Sequence, residues 1–188
     1  DTLLVLEKAA KDNPNALAMN LKIVKPNGKP FFKKRSHLID RAKWIGRGWP
    51  VENSWVNVLS YAALFIRTQA FNAVGGWDEN LFLYHEEDDL CFRVKELGVD
   101  LLFVHKATVQ HIRGASSPPS KAGSHFKGWH MGRSRVYTTK EHNRPFPLSA
   151  PFFALILQIC SPLSIISSRK RNKNWSYLKG VISTRNTK

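Results

Sequence analysis

Four consecutive carboxylates, Glu86-Glu87-Asp88-Asp89, form the densest chemical feature of this chain. Adjacent like charges raise one another's proton affinity and cost stability, so such a run is kept where a cation, a metal or a proton-transfer task offsets it. The dipole of a helix favours one or two acids in its first turn without any function, and four exceed that need. Apolar residues then recur at Leu90, Phe92 or Val94, and Leu97, and Gly98 follows as a C-terminal cap. The spacing predicts a helix over 89–97 with the carboxylates at its N-terminus. A carboxylate held there can act as a general base once a substrate hydroxyl comes within hydrogen-bond reach.

The elements that must position this helix follow from hydrophobic period and breakers. Residues 2–12 read as a helix, ended by Asp12-Asn13-Pro14-Asn15 because the residue before a proline avoids helical geometry. Residues 16–24 read as a strand closed by the turn Pro26-Asn27-Gly28-Lys29, and 30–55 as an irregular connection. Ser60–Ile66 has the apolar character of a buried strand, and 67–74 is a short helix stopped by Gly75-Gly76. Two strands are expected after the acidic helix, over 100–104 and 107–112. A loop over 114–123 then leads into a basic, aromatic-rich helix over 124–141. Trp129 and the cations around it suit either phosphates and sugar rings or a solvated amphipathic face. Lys33, Lys34 and Arg35 read as a solvated basic loop.

With 43% hydrophobic and 11% aromatic residues in 188, the chain lies outside the disordered class and can bury one sizeable core. One domain over 1–143 and a tail over 144–188 are expected. Cys91 and Cys160 lack the paired spacing of a disulfide framework or zinc site, which fits a reducing, cytosolic setting. The net charge of +15 calls for an anionic partner: nucleic acid, an acidic membrane face or a phosphorylated substrate. No nucleic-acid reading motif is present and the acidic run opposes one, so no nucleic acid is expected. A basic polyanion- or nucleic-acid-binding module without catalysis is the alternative reading. Residues 145–168 carry no charge, but Pro151 and Pro162 interrupt them, and Arg169-Lys170-Arg171-Asn172-Lys173 follows. That pattern reads as lying on an anionic membrane surface rather than spanning it.

The stretch from Val74 to Arg93, V-G-G-W-D-E-N-L-F-L-Y-H-E-E-D-D-L-C-F-R, resembles the acceptor-side signature of family 2 glycosyltransferases. The run V-Q-H-I-R-G-A-S-S over 109–117 is similar to that family's second motif, and Ser60-Tyr61-Ala62-Ala63 to the stretch before its second helix. Asp1-Thr2-Leu3-Leu4 resembles the end of the strand that closes the family's metal-binding acidic motif. The resemblance covers residues 1 to about 140. It implies an α/β GT-A fold, of which the C-terminal half is present, with a mixed sheet and flanking helices; the nucleotide-binding half is expected to precede Asp1.

By the same resemblance, Glu87 occupies the general-base position of an inverting transfer. The family more often has Asp there, so Asp88 is the alternative base. Asp1 would bind a divalent cation, Mn2+ or Mg2+, with His111 completing its shell; His111 also suits the part of a hydrogen-bonded structural histidine. Glu86, Ala62, Ala63, Trp77, Asp78, Arg113 and Ser116 fall on the substrate side, although Trp77 also suits core packing. The partners implied are a nucleotide-sugar donor, a saccharide or lipid-linked acceptor of bacterial envelope synthesis, and an anionic membrane surface. The location implied is the cytoplasm, peripheral on the inner face of the cell membrane. The fragment alone is expected to be inactive.

Overall fold

In the computed structural model, residues 1–46, 48–112, 118 and 120–184 are described. They fall into two compact units, one of residues 1–78 and 87–115, the other of 79–86 and 116–188. The expected division at 143/144 is not where these units part, since the helix before it and the tail belong to one unit.

The first unit is a four-stranded mixed sheet in the order β2-β4-β1-β3. Strand β1 (Ala16–Val24) pairs in parallel with β4 (Asp100–Gln110), and the short strands β2 (Ser54–Val56) and β3 (Leu64–Ile66) add antiparallel edges to β4 and β1. Alternation along the two long strands supplies both faces. Met19, Leu21, Leu102 and Val104 meet Leu6, Ala9 and Ala10 of helix α1 (Thr2–Asp12), while Ala18, Leu101 and Phe103 meet Leu90, Cys91 and Val94 of helix α3 (Glu86–Glu96). The result is the expected α/β architecture, a mixed sheet with flanking helices consistent with part of a GT-A fold.

Three local expectations are corrected. The two strands expected over 100–112 are one strand, β4, whose register slips between Leu21↔Val104 and Lys22↔Thr108. The ladder resumes after three extra residues, the first of which, His105, finds partners for its polar groups. The His105 amide donates to Asn53 Oδ1 at 2.9 Å, its Nδ1 donates to the Pro50 carbonyl at 2.9 Å, and its Nε2 accepts from Lys22 Nζ at 3.1 Å. Residues 30–55 are not wholly irregular, since they hold β2's first residues and a 3₁₀ turn at Arg41–Lys43. Only Leu64–Ile66 of the run from Ser60 is strand.

Residues 60–63 form instead a turn fixed from below by Asn20, a fully buried side chain in β1. Its Nδ2 donates to the carbonyls of Ser60 (2.9 Å) and Ala63, and its Oδ1 accepts from the Ser60 amide. Replacing Asn20 with Ala leaves these buried backbone groups unpaired, and we expect a loss of about 2 kcal/mol or more in a urea titration.

The second unit is helical. Helix α4 (Lys121–Glu141) begins at Ser120, whose hydroxyl accepts from the Gly123 amide at 2.9 Å, so it starts three residues earlier than expected. Helices α5 (Ser149–Ile159), α6 (Pro162–Ile166) and α7 (Ser168–Ser183) follow, and Val136, Leu155, Tyr177 and Val181 form their core. Helices α4 and α7 cross at glycine: a Cβ on Gly132 would lie 2.2 Å from the Tyr177 carbonyl oxygen, and one on Gly180 2.0 Å from that of Trp129. Among the described residues, no helix is long and apolar enough to cross a membrane.

Cysteine chemistry divides between the units. Burial pushes the Cys91 thiol up to about 12, with the nearby Lys33 charge acting in the opposite sense, whereas Cys160 is exposed. A thiol held protonated is a poor nucleophile. In native protein at pH 8, an aromatic disulfide reagent should therefore titrate one thiol rapidly, and a second only after denaturation; two rapid thiols would contradict this packing.

Candidate active site

Helices α1 and α3 both return to the sheet through short links, so their N-termini lie toward the carboxyl end of the parallel pair β1/β4. Thr2 Oγ1 donates to the Thr108 carbonyl at 2.9 Å, which ties the start of α1 to that end. The crevice beyond the carboxyl ends of parallel strands is where open α/β sheets bind ligands.

Helix α3 starts at Glu86, so the four carboxylates are its first four residues, as the sequence predicts. Their environments differ sharply. Asp89 is buried and its Oδ2 accepts from Arg93 Nε and Nη2 at 2.9 and 2.6 Å; Arg93 Nη1 also donates to the Val74 carbonyl. Asp89 thus fastens α3 to the end of helix α2 (Thr68–Ala73), a positioning role. Asp88 is 4% exposed, with Lys33 Nζ 2.9 Å from its Oδ1 and His37 Nδ1 4.0 Å from its Oδ2. Glu87, partly exposed, meets the same Lys33 at 2.8 Å. Glu86 is half-buried. The two residues leading into the helix, Tyr84 and His85, hold φ of 67° and 70°, a left-handed pair without glycine. Strain of that kind persists where surrounding structure over-determines it, and it gathers at functional sites.

Lys33 corrects the expectation of a solvated loop: its side chain is 19% exposed and spans both carboxylates. Phe32 packs edge-on against Phe103 at 5.1 Å and Leu38 is fully buried, so the segment is drawn onto the α3 face of the sheet. Burial works against the Lys33 charge, but Asp88 and Glu87 outweigh it and its proton affinity rises above the ordinary 10.5. A group raised in the folded state contributes stability that is fully present below its unfolded value and is lost as pH rises through the folded one. Base titration should therefore leave stability unchanged from this source up to about pH 10 and reduce it above, a loss that Lys33→Met abolishes.

The remaining predicted residues are placed as follows. Asp1 is exposed, and its carboxylate accepts from the Leu3 amide at 3.0 Å as the N-cap of α1; the expected strand end at residues 1–4 is thus a helix start. His111 follows β4, its amide donating to the Val24 carbonyl at 2.8 Å and its ring lying 5.0 Å from Phe31. Asp1 and His111 therefore stand at the same end of the sheet. Ala62 is exposed and Ala63 half-buried in the turn that Asn20 holds. Trp77, 37% exposed, meets Tyr61 and Phe71 with ring centroids at 5.0 and 5.4 Å. Asp78 follows it, half-buried. Arg113 and Ser116 lie outside the described residues.

Sequence reasoning missed three contributors: Lys33, His37 and Asn20. Nothing in the spacing marks the first two, which lie some fifty residues before the acids they face. Asn20 had a signal, a lone amide among the apolar residues at 16–21.

No family model matches this chain. It is similar to the N-acetylglucosaminyl-diphospho-decaprenol L-rhamnosyltransferase of Mycobacterium tuberculosis, in strain CDC 1551 / Oshkosh and strain ATCC 25618 / H37Rv alike, at 30% identity over 145 residues. The match takes in 65% of this chain and 47% of the relative, so the chain spans about half the length of the curated relatives it matches. The similarity is to a glycosyltransferase, the class of protein that the acidic helix and mixed sheet fit.

Proposed function

We propose that this chain is the C-terminal, acceptor-side part of an inverting family 2 glycosyltransferase that moves a sugar from a nucleotide-sugar onto a lipid-linked saccharide in envelope synthesis. The observation that carries this reading is the pairing of Glu87 and Asp88 with one mostly buried lysine at the start of α3, at the ligand-binding end of a parallel strand pair. Similarity to an enzyme whose name specifies a diphospho-decaprenol acceptor supports the lipid-linked class.

In this reading Glu87, the more exposed of the pair, takes the proton of the acceptor hydroxyl as it attacks the anomeric carbon. Lys33 and Asp89 fix the base: one by a direct ion pair, the other by clamping its helix through Arg93. Trp77, with Tyr61, offers an aromatic edge to the sugar, beside Ala62, Ala63 and Asp78.

Asp1 and His111 supply a carboxylate and an imidazole at the same sheet end. That donor set suits Mn2+ or Mg2+ sharing its remaining positions with water and phosphate oxygens. The chemistry such an ion supplies is neutralisation of the leaving diphosphate. Peripheral placement on the inner face of the cell membrane follows in this reading from the apolar face of α5 and the basic start of α7.

The test is transfer of a labelled sugar onto a lipid-linked acceptor by the longer protein that contains this chain. Metal-dependent transfer that Glu87→Gln removes supports the reading. Tight binding of heparin or duplex DNA with no transfer from any nucleotide-sugar favours a polyanion-binding module instead.

A further inference from the structure

Most of the net positive charge of this protein lies in its C-terminal part, because acids are almost absent there. Thirteen of its 29 lysines and arginines lie in 116–188, against a single acid there, Glu141. Within that helical unit a cleft of about 350 Å³ opens where α5 ends and α7 begins, and Arg169, Lys170, Lys173, Asn174, Ser124 and Ser161 line it. Among the described residues, no carboxylate does. Arg169 also lines a neighbouring depression with Lys121 and Ser168. Three cationic side chains line one concave site and favour an anion there, and Asn174, whose Nδ2 gives one hydrogen to Ser164 Oγ at 3.0 Å, has a second to offer its oxygens. The start of α7, a helix of 16 residues, points its positive end into the same place.

Beside the cleft stands an apolar surface. Phe153 and Leu157, one turn apart on α5, are 68% and 72% exposed, and Ile166 in α6 is 83% exposed. An apolar helix face next to a basic cleft matches the boundary between acyl chains and phosphate groups of a bilayer.

We propose that this cleft binds the phosphate or diphosphate group of a membrane lipid, with the exposed face of α5 resting in the acyl region. The proposal rests on the membrane-surface reading above and gives it a defined headgroup site. The same chemistry would take a soluble phosphate compound, so the experiment separates the two sources.

The 188-residue chain is compared with Arg169→Gln/Lys173→Gln and with Arg144→Gln/Lys179→Gln, which removes two charges of the same unit outside the cleft. Two readouts are taken: flotation with vesicles of phosphatidylcholine containing phosphatidic acid, and thermal stabilisation by inorganic pyrophosphate. Charge alone lowers vesicle affinity by roughly fivefold per cation in either pair. The cleft pair should lose at least about tenfold more than the control pair, as hydrogen-bonded rather than diffuse contacts require. It should also lose the pyrophosphate stabilisation that the control keeps.

If pyrophosphate stabilisation depends on the cleft but no chain binds vesicles, the site stands with a soluble phosphate as its ligand and the membrane reading falls. Equal behaviour of the two pairs in both readouts overturns the proposal.

Discussion

In the transferase proposed above, Glu87→Gln is expected to lower turnover by about 10²- to 10⁴-fold, the usual contribution of a general base, while donor affinity stays unchanged. Glutamine keeps the side chain's length and one acceptor oxygen toward Lys33, so fold and melting temperature should survive. Asp88→Asn makes a different prediction. Asp88 is 4% exposed and faces both Lys33 and His37, so neutralising it weakens a buried pair, although Lys33 keeps Glu87 as a partner. A loss of about 1–3 kcal/mol in stability should accompany whatever happens to turnover. Measured together, kcat and Tm therefore separate the base from its support. Unchanged turnover in Glu87→Gln with lost turnover in a still-folded Asp88→Asn would transfer the base role to Asp88.

Gly132→Ala is expected to destabilise the helical unit by about 1–3 kcal/mol, against the trend for glycine in a helix. In open space that change stabilises a helix by up to about 1 kcal/mol, so the sign alone decides. The added carbon would sit 2.2 Å from the Tyr177 carbonyl oxygen, a backbone atom that cannot rotate away, and α4 and α7 would have to separate. Gly128 and Gly180 meet backbone in the same way, at 2.4 and 2.0 Å, so Gly180→Ala should behave alike. Fluorescence-monitored melting reports it, because Trp129 and Trp175 sit on the two helices. Gly46→Ala, whose added carbon meets nothing within 4 Å, serves as the control. An increase in Tm for Gly132→Ala would show that the helices cross more loosely than described.

These two predictions draw on different kinds of information. The proposed base lies in a motif whose residues are neighbours in sequence, so its helix could be read directly: carboxylates first, apolar residues at helical spacing, and Gly98 at φ 74° closing the turn. Helix α1, strand β1 and helix α4 were legible for the same reason, since each carries its period and its stop signals within its own length. Strands β2 and β3 were not, because three residues hold too little pattern and their pairing depends on β4 and β1.

What the sequence determined by itself is local: that α1, β1, α3 and α4 are helix or strand, where the acids fall on α3, and that the chain carries far more positive than negative charge. The partners of those acids were decided only by the tertiary structure. Lys33 reaches Glu87 and Asp88 because Phe32 and Leu38 bury their segment against the α3 face of the sheet, and charge alone would have left that lysine in water. The glycines of α4 likewise look like weaknesses in a helix until α7 lies across them. Contacts between residues distant in sequence are set by how the faces pack, and no pattern within one segment encodes them.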